Sequence, residues 1–216
     1  MSEIQAWLAA TATVGVLIGY EITLALAQRR DPQRLARSAH AVLREDWFAA
    51  LSMHKGSELL AVQTLRNSLM SATLTASTAA LALMGSVTLA APSLHANFVV
   101  APAGGPVFSA RLALELALMA LLFTSLLCSA MAVRYYNHAS FIGSMPVESE
   151  LRRRWSNAGV VYVRRAGLLY SWGLRNLILV APIIAAIVHP AAGPVAALLV
   201  VAVLSGFDRV EVGSPP

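Results

Sequence analysis

Five apolar runs are separated by four segments, of which two are rich in arginine. The runs cover about residues 4–27, 68–90, 110–133, 160–189 and 194–208. A helix rises about 1.5 Å per residue, so about 20 apolar residues cross a hydrocarbon core of roughly 30 Å. The pattern therefore predicts an all-α integral membrane protein with five transmembrane helices in a single membrane domain, residues 1–216.

A breaker cluster at residues 189–194 decides between five spans and four. Its sequence, HPAAGP, holds two prolines and a glycine, which interrupt helices. We expect the cluster to separate the fourth span from the fifth, with the N-terminus outside and the C-terminus in the cytoplasm. The alternative is a four-span protein, in which the last two runs form one long helix and Arg209 lies outside.

Polar segments between the spans predict amphipathic helices at the cytoplasmic surface. In residues 33–51, apolar residues recur every four positions: Leu35, Ala39, Leu43, Trp47 and Leu51. Such a helix lies either in the headgroup layer or on the protein's own cytoplasmic face. A second surface helix is expected from Pro146 to Trp155. Residues 92–106 are expected to form an outer loop, after which Ser109 caps the third span.

The basic residues fall into two blocks. Of the 16 lysines and arginines, all but Arg111 and Arg209 lie within residues 29–66 or 134–175. Cytoplasmic loops carry an excess of positive charge, so both blocks are assigned to the cytoplasm and the protein to the bacterial inner membrane. Only 12% of residues are charged and 57% are hydrophobic, against about 25% charged in soluble domains. The net charge of +5 therefore indicates anionic lipid headgroups as partners, not nucleic acid.

Two short motifs recur at nearly the same offset and predict a tandem two-helix repeat. The motif LRxxW begins at Leu43 and again at Leu151, and LRN begins at Leu65 and again at Leu174. Repeat 1 covers residues 4–91 and repeat 2 covers residues 110–189, each with an inward span, a basic segment and an outward span. The fifth span has no counterpart. Parallel repeats of this kind occur in transporters, and coincidence is the alternative explanation.

Arg66 and Arg175, at matching repeat positions, are the main candidates for a site. About a dozen apolar residues separate Arg175 from Pro190, too few to cross a bilayer, so Arg175 is expected inside the cytoplasmic half of the membrane. Arginines at such depth are functional-site hypotheses by default. The predicted site binds an anionic group or lipid headgroup through Arg66, Asn67, Arg134, His138, Arg175 and Asn176. Its charge partners are Glu21 and Asp208. Alternatively, the arginines only anchor the helices.

The second span carries a polar stripe at helical spacing. Its members are Thr64, Asn67, Ser68, Ser71, Thr75 and Thr78. The stripe either packs against neighbouring helices or lines a hydrated path. In the third span, Arg111 and Glu115 share a helix face and are expected to form a structural ion pair, with an ion access site as the alternative.

The sequence encodes no recognisable enzyme or cofactor chemistry. It contains no HExxH, GxSxG or Walker-type motif, and no catalytic residue, metal ligand set or cofactor is expected. No histidine sits opposite another in mid-span, as a bis-histidine haem requires. The single cysteine, Cys128, lies in an apolar run and excludes an internal disulfide.

Three stretches together resemble the domain-of-unknown-function 599 family of bacterial and plant membrane proteins. They are LAVQTLRNSLM at residues 60–70, VRYYNHASF at 133–141 and SWGLR at 171–175. Further positions fit the family pattern: Arg66, Arg134, His138, Arg175, Pro182 and Asp208. The resemblance implies several spans, no established activity and no catalytic residue. The family pattern has no fixed acid at the position of Glu21.

These observations predict a small transporter or channel with a cationic site in the cytoplasmic half of the membrane. A chain of this size favours a homo-oligomer, in which several copies enclose a path. The alternative is a non-catalytic accessory subunit or scaffold that binds lipid or partner subunits through the same arginines. A third interpretation is an intramembrane enzyme acting on lipids, with His138 and Glu21 as its acid and base.

Overall fold

The computed structural model describes residues 2–30, 35–98 and 108–208, and throughout these residues the secondary structure is helical, without strands. Six helices follow in chain order: α1 (Glu3–Arg30), α2 (Ala36–Leu51), α3 (Glu58–Phe98), α4 (Ala110–Ser144), α5 (Glu150–Val188) and α6 (Ala192–Phe207). The all-α prediction is therefore confirmed.

Four of these helices are long and apolar enough to cross a membrane, namely α1, α3, α4 and α5. The longest, α3, has 41 residues and is therefore about 62 Å long, about twice the hydrocarbon thickness. Helix α6 is apolar but has only 16 residues, or about 24 Å. The described chain thus contains four span-length helices and one shorter apolar helix at the position of the predicted fifth span.

Two predicted boundaries are wrong because polar residues and prolines do not end these helices. Helix α3 continues through Pro92 to Phe98, so residues 92–98 are helical, and the rest of the predicted outer loop, residues 99–106, lies outside the described residues. Membrane helices accommodate proline when the freed backbone groups find other partners. Residues 150–155 are not a separate surface helix but the first turns of α5. Arginine is a good helix former, so the basic run at residues 152–154 does not end the helix.

Gly159 of α5 lies at a close contact with α2. A Cβ atom at Gly159 would overlap the Phe48 ring of α2. The glycine therefore allows α2 to approach the α5 backbone closely, and it does not interrupt the helix. The start of α5 is capped by Ser149, whose Oγ accepts a hydrogen bond from the Arg152 backbone N–H at 3.1 Å.

The N-terminus of α4 is capped as predicted. The Oγ of Ser109 accepts a hydrogen bond from the Leu112 backbone N–H at 3.2 Å. This bond satisfies one of the four N–H groups that have no partner inside a helix at its N-terminus.

The chain divides into two compact units, and α3, α4 and α5 each contribute residues to both. Unit A comprises residues 1–30, 78–124 and 175–207, and unit B comprises residues 31–77, 125–174 and 208–216.

Unit A is built around helices α1 and α6, which pack against each other. Its core is almost entirely aliphatic: Ala10, Leu17, Ala110, Leu114, Leu179, Ile183, Ala186, Ala197 and Leu204. After α5 ends, a three-residue turn leads into α6, and Gly193 lies against α5 and α1. A Cβ atom there would lie 2.5 Å from the Cβ of Ala186 and 2.5 Å from the Oγ1 of Thr13. Only glycine fits this close approach.

Unit B is built around Phe48 of α2, whose side chain is fully buried. The surrounding core contains Leu65, Ala72, Ala132, Tyr136, Ala139, Ile142, Val163 and Ala166. Small residues also bring α4 and α5 together here, because a Cβ atom at Gly173 would overlap the Oγ of Ser129. The Oγ of Ser125 donates a hydrogen bond to the Gly173 carbonyl oxygen at 2.7 Å. Close contact through small and hydroxyl-bearing residues is typical of helix pairs in membranes.

Candidate functional site

An ion pair joins α1 and α5 inside unit A, with its arginine buried and its glutamate partly exposed. The Nε of Arg175 donates a hydrogen bond to the Oε1 of Glu21. The Arg175 side chain is 6% exposed and that of Glu21 is 28% exposed. The Tyr20 ring lies below the guanidinium, with its centroid 5.0 Å from the Arg175 Cζ, a distance at which a cation is attracted to an aromatic face.

Both charged groups lie well inside apolar helical stretches. In α1, Glu21 is 18 residues after Glu3 and eight before Arg29, or about 27 Å and about 12 Å along the helix axis. In α5, Arg175 is followed by 13 uncharged residues up to Val188, or about 20 Å. The pair therefore occupies a region of unit A where other charged side chains are far along each helix.

The pairing changes the expected role of Arg175. Glu21 neutralises the guanidinium, so Arg175 does not present the open positive charge that a simple anion pocket would need. An ion pair in an apolar core requires desolvation of both groups. The sequence offered Glu21 and Asp208 as partners, and the structure brings Glu21 to Arg175.

Arg66 does not share the surroundings of Arg175. Arg66 and Asn67 lie on α3 in unit B with exposed side chains, whereas Arg175 is buried in unit A. The matching leucines of the LRN motif also differ, since Leu65 is 2% exposed and Leu174 is 38% exposed. A pocket formed by both arginines stays a prediction, as does the repeat on which it was based.

The remaining predicted site residues are spread over both units. Arg134 and His138 are exposed on α4 in unit B, and the His138 ring lies 5.8 Å from that of Tyr162. Asn176 is half-buried in unit A. Asp208 is half-buried at the end of α6, and its backbone carbonyl accepts a hydrogen bond from the Ala36 N–H at 3.1 Å. That bond satisfies an N-terminal N–H of α2.

The polar stripe of α3 hydrogen-bonds largely to its own helix. Hydroxyls of Ser68, Ser71 and Thr75 donate to the carbonyl oxygen four residues earlier, at 3.2, 3.1 and 3.0 Å. Thr75 is buried, whereas Thr64, Ser71 and Thr78 are exposed. Bonds of this kind satisfy a hydroxyl without a partner on another helix.

The pair predicted in α4 is present. The Nε of Arg111 lies 3.0 Å from the Oε1 of Glu115, and the arginine side chain is largely exposed while the carboxylate is buried. The long arginine side chain therefore reaches a buried carboxylate and leaves its other groups accessible.

Arg152, which sequence reasoning treated as ordinary surface charge, is the buried cation of unit B. Its side chain is 2% exposed. The guanidinium donates to the Ile142 carbonyl oxygen in the last turn of α4 and to the Ser52 Oγ at 3.0 Å. It also lies 5.1 Å from the centroid of the Phe48 ring. Arg152 thus joins the ends of α2 and α4 to the start of α5.

The helical periodicity of α5 indicates that Arg152 is buried. Arg152 lies seven residues before Gly159, on the face that continues through Val163 and Ala166, and all four are buried. Arg153 and Arg154 point to other faces and are exposed. The period therefore distinguishes Arg152 from its neighbours once α5 is recognised as continuous.

An open cleft in unit B lies between α2 and the longer helices α3, α4 and α5. It has a volume of about 310 Å³, and its lining comes from α2 (Leu43, Arg44 and Trp47), α3 (Thr64, Leu65 and Ser68), α4 (Tyr136) and α5 (Val163). Two members of the predicted polar stripe, Thr64 and Ser68, thus meet a basic residue that sequence reasoning had not assigned to a site. The cleft combines apolar walls, hydroxyl groups and one cation.

Comparisons with known proteins place the chain in a family without assigning an activity. No curated protein and no solved structure matches it. A family model described as "Protein of unknown function, DUF599" matches residues 8–212, nearly the whole chain. The resemblance noted in the sequence is confirmed, and the chain belongs to the DUF599 family of proteins of unknown function.

Proposed function

We propose that this membrane protein is a small transporter for an anionic solute, with the Glu21–Arg175 pair as its switchable element. The observation that carries the proposal is the pairing of the buried Arg175 of α5 with the partly exposed Glu21 of α1 inside unit A. A pair of this kind is a weak source of stability, because apolar replacements of similar volume are often neutral or stabilising. The presence of the pair is therefore better explained by a function of its two charges than by a contribution to stability.

The pair supplies a simple means of coupling anion binding to the contact between α1 and α5. A solute anion that reaches Arg175 competes with Glu21 for the guanidinium. The displaced carboxylate then takes up a proton or a cation, because an unpaired charge in the membrane is costly. Binding of the anion thus changes the contact between α1 and α5.

We further propose five crossings, with the N-terminus outside and the C-terminus in the cytoplasm. Two observations support this topology. Helix α6 packs along α1, and Asp208, directly after α6, is hydrogen-bonded to Ala36 at the start of α2. The residue that follows α6 is therefore bonded to the first residue of α2, which lies within the first basic block. At about 24 Å, α6 crosses only if the bilayer thins or its ends lie in the headgroup layer.

The inner membrane of a bacterium is the proposed location, with anionic lipids and further copies of the chain as partners. The basic residues of unit B match the negative potential of a cytoplasmic leaflet. A homo-oligomer would enlarge the polar surface available for a path, since Asn67, Ser71 and Thr78 are exposed in the single chain. No catalytic role is proposed for any residue.

Flux through proteoliposomes tests the transport proposal. Purified protein is reconstituted, and uptake of chloride, phosphate and small carboxylates is measured under an imposed proton gradient. We expect uptake of at least one anion, loss of that uptake in Arg175→Gln, and retention of it in Arg153→Gln, whose arginine is exposed in unit B. Absence of uptake for every anion by the folded protein would contradict transport.

An accessory subunit is the second candidate function, and the exposed polar residues at the start of α3 favour it. Arg66, Asn67 and Ser71 are all exposed in the single chain and suit contact with another membrane protein. Purification of the protein from its native membrane in mild detergent distinguishes an accessory subunit from a transporter. Stoichiometric co-purification of other chains, together with absence of flux, would favour the accessory role.

A further inference from the structure

We propose that the cleft around Arg44 in unit B binds an anionic glycerophospholipid. The lipid phosphate would contact the Arg44 guanidinium, and one acyl chain would lie along the apolar wall. This inference does not depend on transport, because it concerns different residues in a different unit.

The guanidinium of Arg44 occupies space that Gly167 of α5 leaves open, because glycine carries no side chain. A Cβ atom at Gly167 would lie 2.6 Å from the Nη1 of Arg44 and 2.7 Å from its Cζ. The arginine therefore lies directly against the α5 backbone. Its Nη1 also donates a hydrogen bond to the His40 carbonyl oxygen at 3.3 Å. These contacts fix the guanidinium at the cleft and reduce the ordering that a ligand would have to impose.

Arg44 retains the capacity to bind an anion. Among the residues that the structure describes, the ion pairs involve other cations, such as Arg164 with Glu45 and Lys55 with Glu148. The neighbouring carboxylate on α2, Glu45, is therefore directed to another partner. A guanidinium with a fixed orientation and no described carboxylate partner is suited to bidentate contact with a phosphate.

Hydroxyl groups line the same cleft and suit a headgroup. Thr64 and Ser68 lie one turn apart on α3, and Tyr136 of α4 lines the same cleft. The Ser68 hydroxyl donates to the Thr64 carbonyl oxygen, so its lone pairs remain as acceptors. The glycerol or headgroup hydroxyls of a lipid can donate to these oxygens while the phosphate accepts from Arg44.

The apolar walls distinguish a lipid from a free inorganic anion. Leu43, Leu65 and Val163 line the cleft together with the Trp47 ring. On α2, Val42 and Leu43 are 53% and 63% exposed, so the surface helix presents apolar side chains beside the cation. Such a helix lies at the boundary between headgroups and acyl chains. At that boundary a phospholipid presents its charged phosphate next to its apolar acyl chains.

Native mass spectrometry of the full-length protein tests the proposal. Detergent-solubilised protein is titrated with phosphatidylglycerol, with phosphatidylcholine, and with inorganic phosphate as a competitor. We expect phosphatidylglycerol to remain bound at one site per chain and to bind at least about tenfold more tightly than phosphatidylcholine, because only the former carries net negative charge. Millimolar phosphate should not displace it. Equal binding of both lipids, or full displacement by phosphate, would overturn the proposal.

Four variants assign the binding to the cleft. Arg44→Gln should weaken phosphatidylglycerol binding about tenfold or more, and Arg153→Gln, which removes an exposed arginine of the same unit, should not. Gly167→Ala keeps the charge but displaces the guanidinium, so it should also weaken binding. Melting curves of each variant identify any folding defect, and Arg44→Lys covers the case in which Arg44→Gln fails to fold. Unchanged affinity in both Arg44→Lys and Gly167→Ala would overturn the assignment, because lysine cannot reproduce a bidentate contact.

Discussion

The guanidinium of Arg175 in α5 is hydrogen-bonded to the carboxylate of Glu21 in α1, so a buried arginine of unit A is paired with a partly exposed glutamate. The pair is 154 residues apart in sequence. It links the first helix to the fifth, and Tyr20 completes the contact from below the arginine.

Removing one member of the pair should destabilise the protein more than removing both. Glu21→Gln leaves the Arg175 charge buried without its carboxylate, and we expect a loss of about 3–5 kcal/mol. The double variant Glu21→Met/Arg175→Met removes both charges and should recover most of that loss, because methionine fills similar volume and adapts to irregular space. Chemical unfolding in detergent, followed by circular dichroism, measures both. A double variant that is no more stable than Glu21→Gln would contradict the pairing of the two side chains.

Substitution of Arg152 should destabilise the protein more than substitution of Arg153 or Arg154. Arg152→Met removes the contacts with Ile142, Ser52 and the Phe48 ring. We expect the free energy of unfolding to fall by about 2–4 kcal/mol, since the carbonyl and hydroxyl lose a charged donor. The controls Arg153→Met and Arg154→Met change exposed side chains and should cost less than about 0.5 kcal/mol. Equal effects at all three positions would contradict the assigned role of Arg152.

Glycines at helix contacts should not tolerate alanine. Gly193→Ala places a methyl group 2.5 Å from Ala186 and Thr13, so α6 must move away from α5 and α1. Overpacking of this kind costs about 1–3 kcal/mol. The control is Gly206→Ala, in the same helix, where no described atom lies within 4 Å of the added Cβ. Thermal unfolding compares the two, and a Gly193→Ala protein as stable as the Gly206→Ala control would refute the close packing.

Cysteine labelling should place the turn between α5 and α6 outside the cell. In a Cys128→Ala background, a cysteine at the exposed Ala191 should react with a membrane-impermeant maleimide in intact cells. A cysteine at the exposed Lys55 should react only after the membrane is opened. Labelling of position 191 only after opening would rule out the five-span topology.

Local features could be predicted from the sequence because their partners are close along the chain. The Ser109 cap and the Arg111–Glu115 pair each depend on residues three or four positions apart. Helix positions followed from apolar runs. The continuity of α5 was missed because polar residues at its start were read as a surface segment, although they are compatible with a helix.

Contacts between helices were harder to predict, because they depend on packing between distant segments. Glu21 was one of two proposed partners for Arg175, since apolar helices offer few carboxylates. No sequence pattern indicates that Gly167 makes room for Arg44, or that Gly159 makes room for Phe48. The Arg44 cleft therefore appears only in the folded chain, although Thr64 and Ser68 had been identified in the polar stripe.

Anion flux of the Glu21→Met/Arg175→Met double variant tests the central claim most directly. The variant is expected to fold, because it removes both charges together. With folding verified by circular dichroism and size-exclusion chromatography, the account predicts that wild-type proteoliposomes take up an anion and that the variant takes up none above empty liposomes. A folded variant that transports the same anion at the wild-type rate would contradict the claim that these charges serve transport.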